Sequence, residues 1–353
     1  MAEAHINRIA TAVPPHDVHG TFLAFGRQML QGDTRRLALF NRMADRSGIA
    51  HRYSFLEGSK GGDAVDAASF YAKGTFPDTA ARMRLYETHA PGLAVAAVAK
   101  LLAGEDRSRI THVIVTSCTG FSAPGVDLDI VERCGLLHSV ERTMVGFMGC
   151  YAAINGLKLA RHIVRSEPKA RVLAVNLELC TLHLHETMDI EELLSFLLFA
   201  DGCAAALVTA DPVGAKLESF HAALVPQTRE LIRWHIRDQG FDMVLSGGVP
   251  GAIRAALSTS RDDILGGAND IDLWAVHPGG RSVLDAVEQA FALPQAALIH
   301  SRGVLNDCGN MSSGTVMFVL ERIMRNADAG QRGCAMSFGP GLVAETMMFR
   351  MAA

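Results

Sequence analysis

Short apolar runs rich in β-branched residues recur through the first half of the chain, at positions 110–116, 143–148, 171–176 and 204–208. Between them lie stretches whose apolar positions fall at helical spacing, 151–165 being the clearest. This alternation predicts parallel α/β layering. Asp211-Pro212-Val213-Gly214 reads as a turn-like boundary. A second series follows, with strands at 217–225, 273–276 and 333–338 and helices at 282–291 and 311–325. The expectation is an α/β protein of two domains, 1–212 and 213–353, whose common strand-then-helix rhythm suggests duplicated halves. No short-period repeat or low-complexity tract interrupts it.

The length of 353 residues supports two halves, because a single hydrophobic core loses efficiency at that size. Hydrophobic residues make up 49% and charged residues 20%, below the roughly 25% usual for soluble chains, so a large core is expected and disorder is not. The net charge of −4 comes from interspersed acids and bases, with no cationic run to neutralise a phosphate backbone; nucleic acid is not an expected partner. Residues 1–12 carry no basic segment followed by an apolar one, and the longest apolar run, 193–200, is too short to span a bilayer. The expectation is a cytoplasmic protein with no membrane span. Seven cysteines without a CxxC pair argue against a disulfide framework and a structural zinc site, so each cysteine is weighed singly.

One of them stands out. In the stretch 143–153 a β-rich run meets Gly149, then Cys150, then helix-forming sequence, which sets Cys150 at a helix N-terminus. Unpaired N–H groups and the helix dipole there favour a thiolate, lowering the pKa from about 8.5. The alternative is a small buried hydrophobe. His277 follows a strand-like run and precedes Pro278-Gly279-Gly280 and a helix, and Asn310 follows Asp307-Cys308-Gly309 and precedes another. Three polar residues at strand ends and helix starts converge on the carboxyl edge of an α/β sheet, where ligands bind. His183-Leu184-His185-Glu186 offers metal ligands only superficially, since its two histidines would face opposite sides of an extended strand and no third ligand is evident. No metal is expected.

Together these motifs resemble the thiolase-fold condensing enzymes, most closely the type III polyketide synthases of the chalcone-synthase-like family. The resemblance runs from about Ile6 to the C-terminus. It is carried by Gly149-Cys150, His277-Pro278-Gly279-Gly280, Gly309-Asn310-Met311-Ser312-Ser313, Leu198-Phe199-Ala200-Asp201-Gly202 and Phe338-Gly339-Pro340-Gly341-Leu342. The Cys-His-Asn set is shared with ketoacyl synthase III enzymes, whereas the Phe-Gly-Pro-Gly turn is more specific. Ser337 stands where the family usually has glycine.

The resemblance implies a thiolase-like αβαβα arrangement and a homodimer in which the loop at Ala123-Pro124-Gly125 reaches toward the partner's cavity. It implies that Cys150 takes a starter acyl group from CoA while His277 holds the thiolate as an ion pair. His277 and Asn310 then stabilise the enolate left when malonyl-CoA loses CO2, with no cofactor beyond the CoA thioesters. Arg42 and Arg46, four apart on one helical face, match positions used for CoA phosphates, as do Gly279 and Gly280 for the CoA arm. A third family cation falls at Leu39, for which Arg35 or Arg36 would substitute. Phe199 and Phe241 match two gatekeeper aromatics, and His183 and Ser312 match cavity positions. Cys118, Ala123 and Cys180 replace bulkier or more polar cavity residues, leaving a channel for a hydrocarbon tail. A medium- to long-chain fatty acyl starter is therefore expected, giving alkylpyrones or alkylresorcinols. Ile232, where the plant enzymes carry glycine, narrows the cavity; two or three malonyl additions fit, and lactone, aldol and Claisen closure all stay open. The rival readings are a ketoacyl synthase III that works with acyl carrier protein and a catalytically silent thiolase-fold binding protein.

Overall fold

The computed structural model of the chain describes residues 2–61, 63–259, 261–265, 267 and 269–353. Nine strands form one sheet in two blocks. The first block orders His5–Ala12, Asp201–Thr209, Val172–Leu179, His112–Ser117 and Glu141–Gly146. The second orders Ala215–Leu224, Val343–Met351, Arg332–Gly339 and Leu273–Val276. The blocks touch through two residue pairs, His5 with Lys216 and Ile6 with Ala215. From that seam outward each block makes two antiparallel pairings and then a parallel one, to which the first block adds a second parallel pairing, of Glu141–Gly146 on His112–Ser117. The same wiring occurs twice.

The sheet is thus mixed, where the alternation predicts parallel strands. The cause is local in the second block: Arg332–Gly339 and Val343–Met351 are joined by so tight a turn that only an antiparallel pairing is open to them.

Val172–Leu179 and Asp201–Thr209 are buried at every position, as strands covered on both faces must be. Successive side chains point to opposite faces, so Ile114 and Ala174 enter one core while Val113, Val115, Leu173 and Val175 enter another. The first core lies between the blocks. There Ala153, Leu157 and Ala160 of helix Ala152–Ser166 and Val316, Met317 and Leu320 of helix Thr315–Asn326 pack among strands of both halves. Helix Thr79–Leu101 covers the outer face of the first block through Tyr86, Ala90, Ala94 and Val98. Helices Val249–Thr259 and Arg281–Phe291 cover the second through Ile253, Leu257, Leu284 and Val287. The layers run α/β/α/β/α, as expected.

Both central helices are entered through a 3-10 turn, Gly149–Tyr151 for one and Ser312–Gly314 for the other, and the two turns meet. The helix expected at 311–325 therefore begins at Thr315. His183, expected on an extended strand, closes the 3-10 turn Cys180–His183.

Candidate active site

Gly149 adopts φ +74, in the left-handed region open to glycine, and a Cβ there would stand 2.2 Å from Pro340 Cδ. Gly339 likewise leaves no room for a side chain, since its Cβ would come 2.6 Å from the Tyr151 ring. The Phe338–Leu342 turn of the second half thus presses directly on the turn that presents Cys150. The Gly149 N–H donates to Cys118 Sγ at 3.0 Å.

Cys150 is 9% exposed, and its Sγ lies 3.8 Å from the hydroxyl of Ser312, itself held at φ +47. That left-handed backbone is strained for a serine. Burial pushes the Cys150 thiol up to about 12, with the Ser312 hydroxyl pulling the other way. Burial thus acts against the dipole expected to favour a thiolate, and the regular helix starts only at Ala152. Burial likewise drives His277 down to about 3. Neither ring nitrogen of His277 has a hydrogen-bond partner among the described residues.

Around Cys150 is a narrow cavity of about 30 Å³. Of the cavity residues named from sequence, Cys118, Cys180, His183, Phe199, Ile232 and Ser312 line it. Thr119, Phe196, Trp234, Met243 and Pro340 complete the wall and were not anticipated. Trp234 was findable, since it lies two residues from Ile232 on the strand Ile232–Arg237 and so shares its face; Met243 is its cross-strand partner. The Trp234 indole N–H donates to the Cys118 carbonyl at 2.7 Å.

Two of the named residues stand off this wall. Phe241 does not line the cavity but backs it, its ring stacked 4.0 Å from that of His183 and its N–H donating to His183 Nδ1 at 3.1 Å. Ala123 is exposed, in the loop after strand His112–Ser117, and is not among the residues lining this cavity within one chain. His183 Nε2 sits 2.7 Å from the Thr119 carbonyl, so it donates there while Nδ1 accepts, which fixes the neutral tautomer. Both nitrogens being engaged by backbone, His183 has no lone pair to offer a metal.

His277 and Asn310 are also buried beside the wall and not on it. Asn310 is wired into three segments. Its N–H donates to the Leu198 carbonyl at 2.8 Å, and its own carbonyl accepts from the Ala200 N–H at 2.9 Å. Its Oδ1 accepts from the Ser312 N–H at 2.9 Å, and its Nδ2 donates to the Gly279 carbonyl at 3.4 Å. Gly279 in turn donates its N–H to the His277 carbonyl at 2.9 Å, and the His277 N–H donates to Met336 across the sheet at 2.8 Å. One asparagine thus couples the turn after His277 to the turn beside Cys150.

The family model described as chalcone and stilbene synthases, N-terminal domain, matches residues 2–212, and that for the C-terminal domain matches residues 216–353. The chain belongs to the chalcone and stilbene synthase family. It is 35% identical over 284 residues, 76% of its length and 72% of the relative's, to the alpha-pyrone synthesis polyketide synthase-like Pks18 of Mycobacterium tuberculosis, and equally to that of Mycobacterium bovis. The crystal structure of PKS-I from the brown alga Ectocarpus siliculosus superposes with a TM-score of 0.90 at 28% identity over 99% of each chain. The C-terminal type III polyketide synthase domain of Steely1 from Dictyostelium superposes at 0.89 with 21% identity, over 99% of this chain and 100% of that one, a likeness of fold. The protein is a condensing acyltransferase of the type III polyketide synthase class with a thiolase-like fold.

In this chalcone and stilbene synthase-type chain a carboxyl that sequence reasoning passed over lies behind Cys118 and Thr119 of the cavity wall. Glu178 is wholly buried and accepts from Ser313 Oγ at 2.6 Å, Thr119 Oγ1 at 2.9 Å and the Cys118 N–H at 3.0 Å. Burial raises it to about 7 despite those donors. The signal was a lone acid between Leu177 and Leu179 on a strand whose other residues, Asn176 aside, are apolar. Arg42 and Arg46 lie exposed on helix Thr34–Arg46 without an ion pair among the described residues, whereas Arg36 pairs with Asp33 at 3.5 Å. Arg281 Nη1 donates to the Arg46 carbonyl at 3.4 Å, bringing a further cation to that edge. Gly280 packs on Leu198, and Gly279 lies beside the His277 ring. Among the described residues no helix is long and apolar enough to cross a membrane.

Proposed function

We propose that this synthase takes an acyl group from an acyl-CoA onto Cys150 and extends it with malonyl-CoA. The carrying observation is His277: an imidazole 1% exposed with both nitrogens unpartnered leaves hydrogen-bonding capacity that a substrate group would fill. In this reading the imidazole takes the Cys150 proton as the thiol attacks the starter thioester, and CoA leaves as its thiol with that proton. Malonyl-CoA then loses CO2. The electron pair passes to the thioester oxygen, where the imidazole and the Asn310 amide stabilise the enolate. The enolate carbon attacks the acyl-cysteine carbonyl, freeing Cys150 and leaving a β-ketoacyl-CoA.

For the starter, we propose a medium- to long-chain fatty acyl-CoA. The small side chains of Cys118 and Cys180 in the wall support it, and the alpha-pyrone named for the mycobacterial relatives favours pyrone closure of the product. The space of about 30 Å³ holds about two waters, so a tail enters only as Ile232, Met243 or Phe196 swings aside. Arg42 and Arg46 are the proposed CoA-phosphate contacts, and a cytoplasmic homodimer is the proposed working form. The test is mass spectrometry of products from malonyl-CoA and a ladder of acyl-CoA starters, with Cys150→Ala as control. Alkylpyrones bearing the starter's tail are expected, absent from the control. A preference for acetyl or aromatic starters would reject the fatty acyl reading, and a requirement for acyl carrier protein would reject free CoA thioesters as the substrates.

A further inference from the structure

Arg52 is 0% exposed, yet its guanidinium makes no ion pair among the described residues. Nη1 donates to the carbonyls of Phe196 and, at 3.2 Å, of Phe199; Nε donates to His19 Nδ1 at 3.0 Å; the Phe22 ring centre lies 5.0 Å away; and Nη2 has no partner. The stem is pressed on Gly309, where a Cβ would come 2.8 Å from Arg52 Cγ. Burying a cation against neutral dipoles is unfavourable, and an apolar side chain of similar volume would fill the space at lower cost. What an apolar residue would not supply is a fixed, directional hold on two carbonyls three residues apart.

Those carbonyls belong to the segment 196–200, which serves the site twice. Phe196 and Phe199 form part of the cavity wall. Leu198 accepts the Asn310 N–H, and Ala200 donates to the Asn310 carbonyl. Arg52 therefore clamps one face of a segment whose other contacts set the cavity width and hold Asn310, and its own stem abuts the residue before Asn310.

We propose that Arg52 is a positioning residue of the active site, its guanidinium fixing the 196–200 segment so that starter selectivity and enolate stabilisation both depend on a side chain outside the cavity wall. This rests on the role given above to Asn310.

The test uses the full-length protein with Arg52→Met, Arg52→Lys and His19→Ala. Acyl transfer to Cys150 over a starter ladder, malonyl-CoA decarboxylation and Tm are measured for each. In Arg52→Met the decarboxylation kcat falls about tenfold or more while KM for malonyl-CoA stays within about twofold, and the ratio of long- to short-starter rates shifts about fivefold, the scale expected for displaced catalytic groups. Arg52→Lys restores part of both, because an ammonium still reaches a carbonyl. His19→Ala, which removes one tether of the guanidinium, shifts the starter ratio in the same direction by less. Folded Arg52 variants with wild-type starter ratio and decarboxylation would overturn the proposal, whatever their Tm. Should neither Arg52 variant fold, an unchanged starter ratio in His19→Ala overturns it instead. A wild-type protein that does not decarboxylate malonyl-CoA would overturn the reading of the site itself.

Discussion

The Ser312 N–H donates to Asn310 Oδ1 at 2.9 Å, and the hydroxyl of the same serine stands 3.8 Å from Cys150 Sγ. The bond turns the Asn310 amide so that its oxygen is occupied, and of its two N–H donors the one not directed to the Gly279 carbonyl remains for an anion. Asn310→Ala is therefore expected to lower malonyl-CoA decarboxylation by about 10²- to 10³-fold, the effect of losing one preorganised oxyanion donor. Starter loading on Cys150, followed by intact-protein mass, stays within about tenfold, since attack on the starter uses the thiol and His277. Equal losses in both steps would remove the distinction.

Cys150 should alkylate slowly at neutral pH. With the thiol pushed up to about 12, the thiolate fraction grows about tenfold per pH unit from 7 to 10, and the rate of iodoacetamide labelling should climb with it. A rate already level at pH 7 would mean that a His277 ion pair exists in the free enzyme.

Glu178 makes stability depend on pH in a stated direction. Its folded pKa, about 7, lies above the ordinary 4.5, so the protonated form is favoured by folding. That contribution is complete below pH 4.5 and is lost as pH rises through 7. The difference of about 2.5 units corresponds to about 3 kcal/mol. Asp201, raised to about 6, acts in the same sense, so the comparison is with Glu178→Gln. Thermal unfolding between pH 5 and 8 should show a steeper loss in wild type than in the variant. Parallel curves would mean that Glu178 stays ionised throughout.

Gly149→Ala places a methyl 2.2 Å from Pro340 Cδ at φ +74. The backbone strain costs about 1–2 kcal/mol and the overpacking about 1–3 more. Calorimetry should show a marked fall in Tm, and Pro340→Gly in the same chain should return the overpacking part only.

Ile232 is 6% exposed and lines the cavity. Ile232→Ala should widen it, moving the preferred starter to longer chains at a cost of about 2–4 kcal/mol in stability. Competition between C8 and C16 acyl-CoA, read as product ratio, measures the shift. An unchanged ratio would place the tail against another wall.

Much of this protein is local in origin and so was legible in the chain. The buried strands at 112–117 and 172–179 announce themselves because covered strands need mostly apolar runs, and Cys150, His277 and Asn310 because glycine-flanked strand-to-helix junctions are written in a few adjacent residues. Helix Thr79–Leu101 was not legible, for its apolar residues form no sharp stripe and Pro91 lies inside it; packing on three strands outweighs propensity there. Nor were the meeting of Met243 with the wall and the backing position of Phe241, since both depend on a hairpin folding over the first half. The charge states were the least legible. Sequence places Cys150 at a helix start and so predicts a thiolate; the tertiary structure adds the burial that pushes the thiol up to about 12, a cost that no local motif in the chain reveals.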